Sequence, residues 1–147
     1  MSNRWDNRST PSFDSTYNFM ELHVDRKKRN GYLVQYCMLE ASKLILVSLS
    51  KIRKGKLTGE SIFFDLSNNL EAVVDYLNGN RHGRFIRYDT NNDNKKYISL
   101  YMEYRKDRLN GTAIRVGKNN DTLYHRIYRR GKVVKRINEK YPNMYAD

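Results

Sequence analysis

The stretch Tyr76-Leu-Asn-Gly79-Asn-Arg-His-Gly83-Arg-Phe-Ile-Arg-Tyr88 decides how this chain is read. It opens on an aromatic residue, passes two glycines four apart, and continues with apolar residues at alternating positions. The same layout recurs along the chain. Gly31, Gly59, Gly83 and Gly111 open comparable segments at separations of 28, 24 and 28 residues. Four positions before them stand Lys27, Gly55, Gly79 and Asp107, and the series runs on to Gly131. Three side-chain columns keep the register. Val34, Ile62, Ile86 and Ile114 form one, Tyr36, Phe64, Tyr88 and Val116 a second, and Ile52, Tyr76, Tyr104 and Tyr128 a third. Alternation of this kind is the pattern of β-strands, and fixed-period self-similarity is the pattern of a repeat array. These columns are expected to form the repeat core.

Between outgoing and returning segments lie Ser67-Asn68-Asn69, Thr90-Asn91-Asn92-Asp93-Asn94 and Lys118-Asn119-Asn120-Asp121. Asn and Asp tolerate a left-handed backbone and bond their own main chain, so these segments predict hairpin tips. The acids Asp89 and Asp93 belong to one tip, and Asp65 and Asp75 are expected to flank another as solvated turn acids. The glycines Gly31, Gly55, Gly59, Gly79, Gly83, Gly111 and Gly131 are expected to mark turns that need positive φ. The first unit is atypical: Cys37 to Ser48 has no Asn-rich tip, and Leu39-Glu-Ala-Ser-Lys-Leu suits one helical turn. An atypical terminal unit is what an end cap looks like. The sequence thus predicts an all-β, elongated antiparallel hairpin-repeat sheet over 23–136, with about four repeats. Residues 1–22 and 137–147 are expected to be extended arms, and Trp5, Phe13, Tyr17 and Phe19 are the candidate anchors of the first.

Over about residues 27–136 the pattern resembles the MORN or MORN-like repeats. The segment Tyr76 to Tyr88 carries the likeness, and Lys54-Gly55-Lys56-Leu57-Thr58-Gly59 is the other good match. The resemblance implies β-hairpin units stacked into a long, thin, twisted sheet, and a mostly non-enzymatic scaffold, protein-contact or membrane-associated role. Two departures stand out: periods of 24 and 28 exceed the family's usual spacing, and the tryptophan often found after the second glycine is missing. Hairpins of this family also abound in proteins of large DNA viruses, so a virus particle is the first assembly the resemblance suggests.

The chain has 147 residues and a net charge of +12, enough for one domain or one short repeat array. Sixteen Lys and Arg against five Asp and Glu fall within 79–136, so nearly all the excess is local. No apolar run is long enough for a membrane-spanning helix, and Met1 to Thr10 is polar, which predicts no secretory signal and an intracellular or virion location. A single cysteine, Cys37, in an apolar segment reads as a buried small hydrophobe. His23, His82 and His125 do not fall at metal-ligand spacing, and no phosphate-binding loop is present. No catalytic residue, metal or cofactor is expected.

Alternation places Arg87 and Arg115 opposite Ile86 and Ile114, on a basic face shared with Arg84, Arg105, Arg108, Arg126, Arg129, Arg130 and Lys132. That face is a candidate docking surface. The function expected is a non-enzymatic structural or protein-interaction repeat protein, a minor scaffold or cementing component with protein partners that present acidic surfaces. The alternative is non-specific binding of nucleic acid or another polyanion through 79–136, without a recognition helix. Anionic lipid and a repeat-type inhibitor of a single protein partner are more distant readings. Partner, stoichiometry and oligomeric state are left open by the sequence.

Overall fold

A computed structural model describes residues 18–25, 29–40 and 43–140, with backbone only for 18–25 and for 39–40. These residues form ten strands: β1 (Asn18–Asp25), β2 (Asn30–Glu40), β3 (Lys43–Arg53), β4 (Lys56–Phe64), β5 (Leu70–Leu77), β6 (Asn80–Thr90), β7 (Lys96–Arg105), β8 (Arg108–Val116), β9 (Thr122–Arg129) and β10 (Lys132–Glu139). All lie in one antiparallel sheet whose strand order follows the chain order from β1 to β10. No helix occurs among the described residues. The hairpin-repeat sheet is therefore what the sequence forms.

Two kinds of turn alternate along the two rims of this meander. On one rim, Lys54-Gly55, Asn78-Gly79, Lys106-Asp107 and Arg130-Gly131 make two-residue turns with both φ values positive, between 51° and 87°. That is the type I′ geometry, whose twist matches that of the flanking strands. On the other rim, Asp65–Asn69, Asn91–Lys95 and Gly117–Asp121 close five-residue tips through paired main-chain bonds such as Asn68 N–H to Asp65 O, 2.9 Å. Asn68, Asn94 and Asn120 each take the left-handed position there, as the Asn-rich segments predict. Side chains complete two of these tips: Asp65 Oδ1 accepts the N–H groups of Ser67 and Asn69, and Asn91 Oδ1 those of Asp93 and Lys95.

Four details differ from expectation. The second glycines are not in turns. Gly83 and Gly111 sit inside β6 and β8 at register irregularities, with φ of 113° and 125°. A Cβ on either would lie within 3.0 Å of the Cβ of Asp75 or Glu103 on the neighbouring strand. Asp75 is correspondingly a mid-strand residue rather than a turn acid: its Oδ2 accepts the Arg84 N–H at 2.9 Å, and Glu103 Oε2 accepts the Thr112 N–H at 2.6 Å in the next unit. Leu39, Glu40, Lys43 and Leu44 are strand residues, not a helical turn. The described sheet also extends from residue 18 to 139, inside both segments expected as arms. Phe19 is thus a strand residue opposite Tyr36, whereas Trp5, Phe13 and Tyr17 lie outside the described residues.

The fourth difference concerns the core. Of the twelve column residues only Ile52 is buried, at 2% exposure; Val34, Tyr36, Ile62, Phe64, Tyr76, Ile86, Tyr88, Tyr104, Ile114, Val116 and Tyr128 are half-buried. The buried apolar residues are Cys37, Ile45, Ile52, Ala72, Val73, Val74, Ala113 and Tyr124, joined by Ser48, Ser50, Ser61 and Arg126. Residues directly opposite in a ladder point to the same face, which lets rows be traced across the sheet. Ser50, Ser61, Val74, Phe85, Met102, Ala113 and Arg126 form one such row, with large side chains between the small ones. Val34, Leu49, Ile62, Val73, Ile86, Tyr101 and Ile114 form a row on the opposite face, and only Val73 of these is buried. In this single layer, burial comes from neighbours within a face. Small residues beside large ones are therefore covered, and the large ones remain half exposed.

Candidate functional site

The third column explains why the repeats keep their register. Gly31 pairs with Ile52, Gly59 with Tyr76, Gly83 with Tyr104 and Gly111 with Tyr128. A glycine opposite each large residue leaves room for the ring to lie over the backbone. Arg81 then stacks on Tyr104, with 4.3 Å from the guanidinium carbon to the ring centre, and its Nε donates to Asp107 Oδ1 at 3.2 Å. Burial raises the Tyr76 and Tyr104 hydroxyl pKa values, so neither is placed to act as an acid near neutrality.

The nine cations expected on one face are divided among four settings. Arg87 and Arg115 share a face with Ala72, Leu100 and Tyr124 and line one shallow hollow with Leu100 and Tyr97. This is the face that holds most of the buried residues, not a separate basic one. Arg87 is ion-paired with Glu71 at 3.3 Å. Arg84 lies on the opposite face, where its Nε meets Asp75 at 3.0 Å and Glu60 stands 3.7 Å away. Arg126 is buried at 3% exposure. Its Nε donates to Glu139 at 2.5 Å, its Nη1 reaches the Tyr128 hydroxyl at 3.5 Å, and the guanidinium stacks on Tyr124. Burial opposes its charge, but the bonds to Glu139 and Tyr128 outweigh that and raise its pKa. It is a structural cation.

Arg105, Arg108, Arg129, Arg130 and Lys132 are the remaining five. They flank the last two type I′ turns, all exposed, and Arg105, Arg108 and Arg130 line one hollow with Lys106 and Asn110. Arg53, Lys54 and Lys56 occupy the same rim two turns earlier, and sequence reasoning that looked only at 79–136 missed them. Their signal was available: Arg53-Lys54-Gly55-Lys56 and Arg129-Arg130-Gly131-Lys132 are the same tetrapeptide pattern.

Compared with protein-family models, curated proteins and solved structures, the chain matches none. Its own geometry therefore carries the functional reading. Cys37 is buried at 1% exposure and is not presented to solvent. No group of three or more His, Cys, Asp or Glu side chains at metal-binding distance occurs among the described residues. No described helix is long and apolar enough to cross a membrane. What the sheet offers is two surfaces: the half-exposed Ile row across one face, and the cationic rim of tight turns.

Proposed function

We propose that this chain is a structural, protein-interaction repeat module, a minor scaffold or cementing component of a larger assembly such as a virus capsid, without catalytic activity. One observation carries the reading. The row Val34, Leu49, Ile62, Val73, Ile86, Tyr101 and Ile114 crosses seven adjacent strands, and only Val73 in it is buried. Every substantial contact between elements joins strands that are consecutive in the chain, so no described element packs over this row. A contiguous apolar band of that kind is the usual mark of a protein-contact surface. The MORN-like sequence pattern supports the scaffold role, and it alone supports the choice of a virus particle.

The test is site-specific photo-crosslinking. A photoreactive residue at position 86, in chain recovered from its native assembly, should give one protein adduct of fixed stoichiometry. Ile62→Asp combined with Ile114→Asp should abolish the adduct while the β-sheet circular dichroism persists. A chain that stays monomeric and gives no adduct in that setting overturns the proposal.

A further inference from the structure

We infer that the rim of type I′ turns binds the phosphodiester backbone of a nucleic acid. The register makes the case. Arg53 stands directly opposite Lys56, Arg105 opposite Arg108, and Arg129 opposite Lys132. Like charges directly opposite in an antiparallel pair destabilise it. Each pair then encloses a third cation at the first turn position: Lys54, Lys106 and Arg130, with φ of 52°, 51° and 52°. That position favours Asn, Asp or Gly. The remaining turn of the same geometry shows the relaxed solution, with Asn78-Gly79 between Leu77 and Asn80. Three of four turns therefore hold cation triads where this same chain, at the fourth, uses neutral residues better suited to the fold.

Internal chemistry does not offset this charge. No ion pair joins any of these nine side chains to a described residue, and all nine are exposed. The nearby acid, Asp107, is taken by the N–H and Nε of Arg81. Protection of an open strand does not explain the triads either. Such protection belongs on strands with unpaired main chain, which among the described strands are β1 and β10; it bears on Lys132, at the start of β10, but not on the first two triads, whose turns join paired strands. Gly79 N–H donates to Leu57 O, Asp107 N–H to Arg81 O and Gly131 N–H to Leu109 O, at 2.7–3.0 Å. The opposite rim mixes Asp65, Asp89, Asp93 and Asp121 with its lysines.

The spacing selects the partner. Consecutive turns on one rim are two strands apart, roughly 10 Å at ~4.8 Å per strand. One strand of a duplex carries a phosphate every ~3.4 Å, so about three phosphates pass each turn, one per cation of a triad. A narrow file of turns suits a linear polyanion; a membrane surface would call for a basic face. This site is separate from the Ile row, so either proposal stands if the other fails.

Fluorescence anisotropy with a 30-nucleotide single strand, its RNA counterpart and the duplex tests the inference on the full chain. If the six cations of the last two turns meet phosphates, log affinity should fall with log salt at a slope of about −4 on single strands and −5 on duplex. Arg105→Glu with Arg129→Glu should weaken binding at least tenfold and make the slope shallower by about 1.5. Because it converts two like pairs into opposite ones, it should also raise Tm by about 1–4 °C. Arg84→Gln with Arg87→Gln, on the faces, should change affinity less than about twofold. The inference is overturned by no saturable binding at 50 mM salt, by equal loss in the face variant, or by a lower Tm in the rim variant. Tighter binding to phosphatidylserine vesicles or polyglutamate than to the oligonucleotides overturns it too.

Discussion

Gly83 and Gly111 have backbone angles that lie beyond the ordinary left-handed region, and each faces the Cβ of an acid on the next strand. A side chain at either position meets both backbone strain and a contact near 3 Å. Gly59, by contrast, has φ of 69° and open space around the place a Cβ would take. Gly111→Ala should therefore cost about 2–4 kcal/mol and Gly59→Ala about 1 kcal/mol in urea unfolding. Equal costs at the two sites would show that the close approach of Glu103 does not matter. The Arg126–Glu139 pair is the other residue-scale test. Glu139→Ala leaves a buried guanidinium with reduced compensation and should destabilise by about 3 kcal/mol, whereas Arg126→Met with Glu139→Leu should recover most of that loss. A double variant as unstable as the single one would contradict this account.

Among the elements, the tips are where charge and backbone meet. Partial burial works against the Asp65 carboxylate. The N–H groups of Asn69 and Ser67 and the Asn69 amide, with Lys96 nearby, more than offset this and leave its pKa below the ordinary value. A depressed folded value contributes stability above the unfolded pKa, about 3.9, and loses it as pH falls through the folded value. Asp65→Asn copies the residue at the matching place in the next tip, Asn91, so it keeps the geometry and removes the titration. The stability advantage of the parent over this variant should shrink below about pH 4, by no more than ~1 kcal/mol given solvent screening. An unchanged difference from pH 6 to pH 2 would refute the assignment. Turns and tips were legible in the sequence because Gly, Asn and Asp act locally. The core was not. Ile86 pairs with Tyr101 but Tyr88 with Ile98, two residues against three, and the same slip separates Val34 from Tyr36, Ile62 from Phe64 and Ile114 from Val116. The extra residue lies on the returning strand each time, so each column keeps its face, but period-two counting cannot see which returning residues share it. The covered residues Ser50, Ser61, Val74 and Ala113 lie on the other face. The basic face failed for a related reason: charge in sequence says nothing about which cations find Asp75, Glu71 or Glu139.

For the whole molecule, a sheet whose substantial contacts join only strands consecutive in the chain has stability that is close to a sum of local units. Hydrogen exchange should therefore be graded, with the highest protection in β4 to β7 and progressive loss toward β10, rather than uniform across all amides. A single global protection factor would refute the nearest-neighbour picture. The same connectivity bears on how the chain is made. Each strand from β2 onward finds its partner in the segment synthesised just before it, and no pairing waits for residues still to come. Loop closure stays short throughout, so the entropic penalty that slows most β proteins is small here. The sheet can grow at its newest edge as the chain leaves the ribosome, one hairpin at a time. In such a process the exposed ladder is always the most recent strand, and the last of the described strands is the Lys- and Arg-bearing β10.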